Sequence, residues 1–137
     1  MTLPSRLDLS DAEFACVLDT APRFGLACLE LAGKPQALES SLFLAMIDEQ
    51  TVNAHTPDLY VRNVSVDDDT PGRRHAHIEL LHAGLGVVID YHIVRYTDAF
   101  AIETWIVVRN EGASPRRVTR LDSLALDLLP ASYDLRA

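Results

Sequence analysis

Alternation with a period of two dominates this chain and leaves few folds open to it. Between residues 100 and 109, Phe100, Ile102, Thr104, Ile106 and Val108 fall on one side, and Ala101, Glu103, Trp105, Val107 and Arg109 on the other. Successive side chains of an extended strand leave opposite faces, and β-branched and aromatic residues suit that pleated surface. The pattern therefore predicts a strand. Similar segments occupy residues 13–18, 26–31, 59–66, 75–82, 87–96 and 118–128.

Turn formers punctuate these segments: Ala21-Pro22, Gly33-Lys34-Pro35, the run Asp67 to Gly72, Gly84 to Gly86, Thr97-Asp98 and Asn110-Glu111-Gly112. Short strands at this spacing predict an all-β fold, an antiparallel β-sandwich of more than seven strands with at most two short helices. Residues 36–52 remain open between the two periods. Ala37, Leu38, Leu42, Ala45 and Met46 fit a helical stripe, whereas Leu42, Leu44 and Met46 alternate as in a strand.

The hairpin over residues 87–109 has an expected register. A three-residue loop, Thr97-Asp98-Ala99, would set Tyr96 against Phe100, Tyr91 against Trp105 and Val94 against Ile102. Both of its faces are largely apolar. A two-layer sandwich buries one face of a sheet and wets the other, so a second cover is expected, from another sheet, a domain or a subunit. A homo-oligomer pairing through Tyr91, Glu103 and Trp105 is the first expectation, and the strand at 118–128 the second.

Length and charge bound the partners. A chain of 137 residues fits one domain, residues 1–137, with a real core. Its net charge of −8 repels phosphate, so nucleic acid and anionic membrane are not expected partners. Arg73-Arg74 and Arg116-Arg117 stand beside turn signals and read as solvated loop ends. No apolar run approaches the roughly 20 residues that cross a bilayer, and no basic-then-apolar leader opens the chain, so a cytoplasmic location is expected. Cys16 and Cys28 would face each other across a hairpin about Pro22 and remain reduced.

Few residues carry chemistry by pattern. His75, His77 and Glu79 share a strand face, but three alternate side chains of one strand spread over about 13 Å and need a second strand to meet one ion. They read as surface residues, and neither a metal nor another cofactor is expected. Asp122 and Asp127, five apart, face opposite sides of a regular strand. No phosphate-binding glycine loop, nucleophile elbow or zinc-protease motif occurs, so no catalytic residue is assigned. Trp105 with Tyr91 and Glu103 is the candidate carbohydrate contact, since an indole can stack on a pyranose. The alternative is an aromatic packed beside Tyr91.

Residues 86–135 also carry an ordered set of signals. "VVIDYHIVRYTD" ends in Tyr96, and "AFAIETWIVVRNEG" closes on Arg109-Asn110 with Gly112. "RRVTRLDSLALDL" bears Leu121, Ser123 and Leu126-Asp127-Leu128, followed by Pro130 and Tyr133. This order resembles the N-terminal β-sandwich of family 36 glycoside hydrolases, the retaining α-galactosidases and their relatives, while residues 1–85 fit that domain loosely. The resemblance implies a supersandwich like that of galactose mutarotases, placed before a catalytic (β/α)8 barrel whose aspartates do the chemistry and which is absent here. It implies a non-catalytic domain that packs on that barrel and mediates subunit contacts, as an N-terminal fragment of a longer glycosidase or a shortened relative. A stand-alone carbohydrate-binding module for galactosides and an immunoglobulin-like interaction domain are the alternatives.

Overall fold

The computed structural model describes residues 4–10, 14–21, 23–31, 34–37, 41–96 and 101–125. Among them the chain is all-β, with no helix, and every strand pairing is antiparallel. The first sheet is a meander of β1 (Arg6–Asp8), β2 (Phe14–Asp19), β3 (Gly25–Leu31) and β4 (Lys34–Ala37). The second contains β5 (Leu42–Ile47) and β6 (Gln50–Val52), with β11 (Val118–Ala125) returning along the free side of β5. The third, in the order β10-β9-β8-β7, is built from β7 (Leu59–Asp67), β8 (Arg73–His82), β9 (Val87–Tyr96) and β10 (Ala101–Asn110).

One core joins the three sheets. Leu18 and Leu26 enter it from the first, Ala45 and Ile47 from the second, Ile78, Leu80 and Ile89 from the third. Tyr91 stands where they meet. Phe24, just before β3, meets its ring edge-on at 5.2 Å, and Phe43 of β5 lies 6.0 Å away. Such pairs add about 0.5–1.5 kcal/mol each beyond the area they bury. Burial also pushes the Tyr91 phenol well above its ordinary pKa.

In the open segment the described residues form strands and the turn between them, while residues 38–40 lie outside the described residues. Residues 42–47 and 50–52 are β5 and β6, and the inward face of β5 is Phe43, Ala45 and Ile47, with Leu44 and Met46 half-buried. The helical stripe loses because β5 lies between two partners, β6 and β11, which satisfy its backbone on both sides. Asp48 and Glu49 make the two-residue turn between β5 and β6, at φ of 49° and 66°. A right-twisted hairpin favours this left-handed turn, but side chains other than glycine resist it. Asp48 compensates by clamping the approach to β11: its carboxylate accepts from the Arg117 amide at 2.8 Å and from Arg116 Nη1 at 2.9 Å, and its own amide donates to the Arg117 carbonyl at 2.8 Å.

The arginine pairs are therefore not all solvated loop ends. Arg116 and Arg74 are half-buried, and Arg74 Nη1 reaches the Asp8 carbonyl at 2.6 Å, tying the third sheet to the first. A second tie links two turns. Gly86 takes φ of 65° and its carbonyl accepts from the Glu111 amide at 3.0 Å; a side chain there would meet the Gly112 backbone at 3.3 Å. Asn110 closes the neighbouring turn, its amide oxygen accepting from the Gly112 amide at 3.0 Å and its Nδ2 donating to the Ser114 carbonyl at 2.8 Å.

β9 and β10 are adjacent and antiparallel as expected, but the register differs by one residue. Tyr96 pairs with Ala101, Arg95 with Ile102, His92 with Trp105 and Tyr91 with Ile106. The paired ends thus enclose residues 97–100, which lie outside the described residues, rather than 97–99. A slip of one residue moves every side chain to the other face relative to its partner. Tyr91 therefore belongs to the core face, and Trp105 and Glu103 to the outer face.

β9 is buried on both faces, as its two-sided apolar pattern predicts. Its outer cover, however, comes from this chain. Val88 and Val94 are fully buried, flanked by Leu81 and Arg109 in one row and by His75 and Glu103 in the other. The two cysteines are also offset. An extra residue in β3 between the partners of Val17 and Leu18 sets Cys16 against Leu29 and Cys28 against Val17. The thiols lie on adjacent strands but on opposite faces, and both are free.

Candidate functional site

The outer face of the third sheet gathers three of the chain's five imidazoles and its indole. Cross-strand pairing sets His77 of β8 against His92 of β9, and His92 against Trp105 of β10. Neighbouring strands are about 4.8 Å apart, close to the spacing of flat rings in contact, so side chains in one row can stand upright and stack. His77 and His92 stack at 4.4 Å between centroids and 9° between planes, and His92 and Trp105 at 4.7 Å and 6°. His75, two residues before His77 on the same face, tilts over both His92 and Trp105 at 5.1 and 5.2 Å. His75 Nε2 and His92 Nδ1 share a hydrogen bond of 2.9 Å.

A charge network borders the stack. His77 Nε2 is 2.8 Å from Asp90 Oδ1. An ionised carboxylate only accepts, so that nitrogen carries a hydrogen. Arg109 grips Asp90 with two donors, Nε to Oδ2 at 2.6 Å and Nη2 to Oδ1 at 3.1 Å, and also bonds Glu79 and Glu111. Arg62 of β7 bonds Glu79 at 3.1 and 3.2 Å and Glu111 with two donors at 2.9 Å each. Two guanidiniums and three carboxylates thus span all four strands. Bidentate, charge-assisted bonds of this kind are the stronger class of protein hydrogen bond.

The electrostatics follow from those contacts. Burial pulls the Asp90 carboxyl upward, but its bonds to Arg109 and His77 outweigh burial and leave it below the ordinary carboxylate range. Arg62 holds Glu79 and Glu111 low, and both guanidiniums bind their protons more firmly than usual. A general acid at neutral pH needs a raised carboxyl, so these three carboxylates are suited to ion pairing. Desolvation lowers His75 and His92, with smaller contributions from Arg73 and His77 at the first, and from His77 and His75 at the second.

The strand partner that His75 and His77 needed to meet a metal ion is present, in His92 and Asp90. Parallel stacked rings, however, do not aim their nitrogens at a common point. Among the described residues no group of three or more His, Cys, Asp or Glu is arranged to hold a metal ion.

Of the three expected carbohydrate contacts, two share the outer face. Trp105 is half-buried and Glu103 exposed, with Tyr96 Oη at 3.4 Å from Glu103 Oε1. Tyr91 is not among them: the register places it in the core at 1% exposure. Trp105 does pack against a ring, but that ring is His92. The sequence reading missed His92, Asp90, Arg62 and Arg109 as partners, although a loop one residue longer would have brought His77, His92 and Trp105 into one row. No family model, no curated protein and no solved structure matches the chain.

Proposed function

We propose that this chain is a non-catalytic β-sandwich module that presents the outer face of its third sheet for contact. In this reading it is the N-terminal sandwich of a family 36-like α-galactosidase, packing on a catalytic barrel that is not part of this chain and mediating subunit contacts. The observation that carries the non-catalytic half is the engagement of Glu79, Asp90 and Glu111 by Arg62 and Arg109, which commits these three carboxylates to ion pairs. The parentage is supported by the ordered motifs of residues 86–135. Two of their residues have evident structural work, Asn110 closing a turn and Gly112 lying against Gly86.

The coding sequence that follows Ala137 tests the parentage. A (β/α)8 barrel in frame supports it, and a stop codon there overturns it. Turnover of an aryl α-galactoside by the pure chain, lost on changing one Asp or Glu, would overturn the non-catalytic assignment.

A second reading, a carbohydrate-binding module, is favoured by the place of Trp105. Trp105 stands half-buried on β10, the outer strand of its sheet, and stacks on His92. A Trp105→Ala change that abolishes galactoside binding by the isolated chain would select this reading.

A further inference from the structure

We propose that His75, His77 and His92 form a proton latch on the outer face of the third sheet: the His75–His92 hydrogen bond and the stack on Trp105 survive one added proton and open on the second. The latch does not depend on the parentage proposed above.

Counting hydrogens gives the stoichiometry. A neutral imidazole has one N–H and one lone pair, and an imidazolium has two N–H groups. With His75 and His92 both neutral, one nitrogen of the 2.9 Å bridge donates and the other accepts. One added proton leaves a single lone pair between the two rings, and it can sit in the bridge. A second added proton leaves none, and two N–H groups then face each other across 2.9 Å. The bridge must break.

The surroundings sharpen the effect. His92 lies between His77 and Trp105 at stacking distance, so it cannot withdraw without disturbing both rings. From β7, Asp67 and Ser65 stand opposite His75 and His77. From β8 come Arg73, whose charge opposes protonation of His75, and Glu79; from β9, Asp90; from β10, Glu103, opposite Val94, and Arg109. Asp90 and Glu79 are already engaged by Arg109, which limits their capacity to offset a second imidazolium. A first imidazolium next to the indole is tolerated, because a cation near an aromatic face is attracted to it. Desolvation lowers both bridge histidines, which places the opening on the acid side of an ordinary histidine titration.

Trp105 is the chain's one tryptophan, so its emission reports this site without interference. The test follows tryptophan emission, far-ultraviolet circular dichroism and imidazole proton shifts of the whole chain from about pH 8 to about pH 4.5. The expected result is two steps in the His75 and His92 shifts, with the emission moving to the red on the second while the backbone signal stays constant. His75→Gln, which cannot gain a proton, should merge the two steps into one and remove the red shift; His55→Gln, exposed and outside the cluster, should leave both. Independent single-proton titrations of His75 and His92 with unchanged emission would overturn the latch, as would a red shift that persists in His75→Gln. If His75→Gln fails to fold, the wild-type shifts alone decide between coupled and independent titration.

Discussion

His92 stands directly opposite Trp105 across β9 and β10, ring on ring at 4.7 Å and 6° from parallel. Directly opposed side chains are the unit of sheet stabilisation, and here the pair also has His77 behind it. The stack therefore contributes to stability apart from any binding role. A double-mutant cycle of His92→Ala and Trp105→Ala in urea should give a coupling of about 0.5–1.5 kcal/mol. Additivity within about 0.3 kcal/mol would mean the rings ignore each other.

Asp90 accepts from Arg109 twice and from His77 once, at 5% exposure. Asp90→Asn retains the shape but removes the charge and one acceptor oxygen. The expected loss of stability is about 1.5–3 kcal/mol, the range for hydrogen bonds to charged groups. Glu111→Gln, at the exposed rim of the same network, should cost far less. Urea midpoints measured at neutral pH check both.

Acid should weaken the fold in two stages. His75 and His92 bind protons less readily when folded than their ordinary value of 6.5, so as pH falls past 6.5 the unfolded chain takes up protons first. Their contribution is complete above that pH and drains below it. Asp8, Glu79, Asp90 and Glu111 are also lowered, from 3.8 or 4.5, so their contribution holds above those values and is lost as pH drops further. Urea midpoints taken at intervals from pH 8 to pH 3 should show both declines, and His92→Gln should shrink the first alone.

Burial pushes the Cys16 thiol up to about 12, and Cys16 is 1% exposed. A thiol that stays protonated is a poor nucleophile. Iodoacetamide at pH 8 should give one adduct, on half-buried Cys28, with the second appearing only on denaturation. Mild oxidation should yield no internal disulfide, because the two thiols lie on opposite faces of the sheet. Mass spectrometry after digestion reads both outcomes.

Asp48 combines a left-handed backbone with three bonds to residues 116 and 117. Asp48→Ala keeps the strained turn and loses the side-chain clamp. Asp48→Asn tolerates that conformation better and retains an acceptor. The alanine variant should therefore unfold at lower temperature than the asparagine variant, and both below wild type.

The strands were legible because their period is local. Val87 to Tyr96 and residues 101 to 110 alternate strongly enough to be read without any partner, and the all-β antiparallel class follows from many such segments. The site was less legible because it depends on register. Tyr91 and His92 are neighbours in sequence, and a loop longer by one residue decides which of them meets Trp105. β5 was ambiguous for another reason: its partner β11 lies far along the chain, and nothing near residue 42 announces it. The clamp at Asp48 was hidden in the same way, since Arg116 looks like any charge beside a turn until Asp48 is placed next to it.

The return of β11 to β5 has a consequence in time. In the third sheet each strand pairs with its sequence neighbour, so β7 to β10 can form by successive local hairpins, which are quick to close. In the second sheet only the β5–β6 hairpin has such a route. Val118 pairs with Ile47, and 118 − 47 = 71 residues separate them. Loop closure over that length costs entropy before any contact returns it. β5 must therefore wait with one edge open until β11 has been made, and the Asp48 clamp shuts on Arg116 and Arg117 only after the third sheet's strands are available. The third sheet should be the early scaffold of the molecule, and the β11 seam the place where newly made chains are most exposed to pairing with one another.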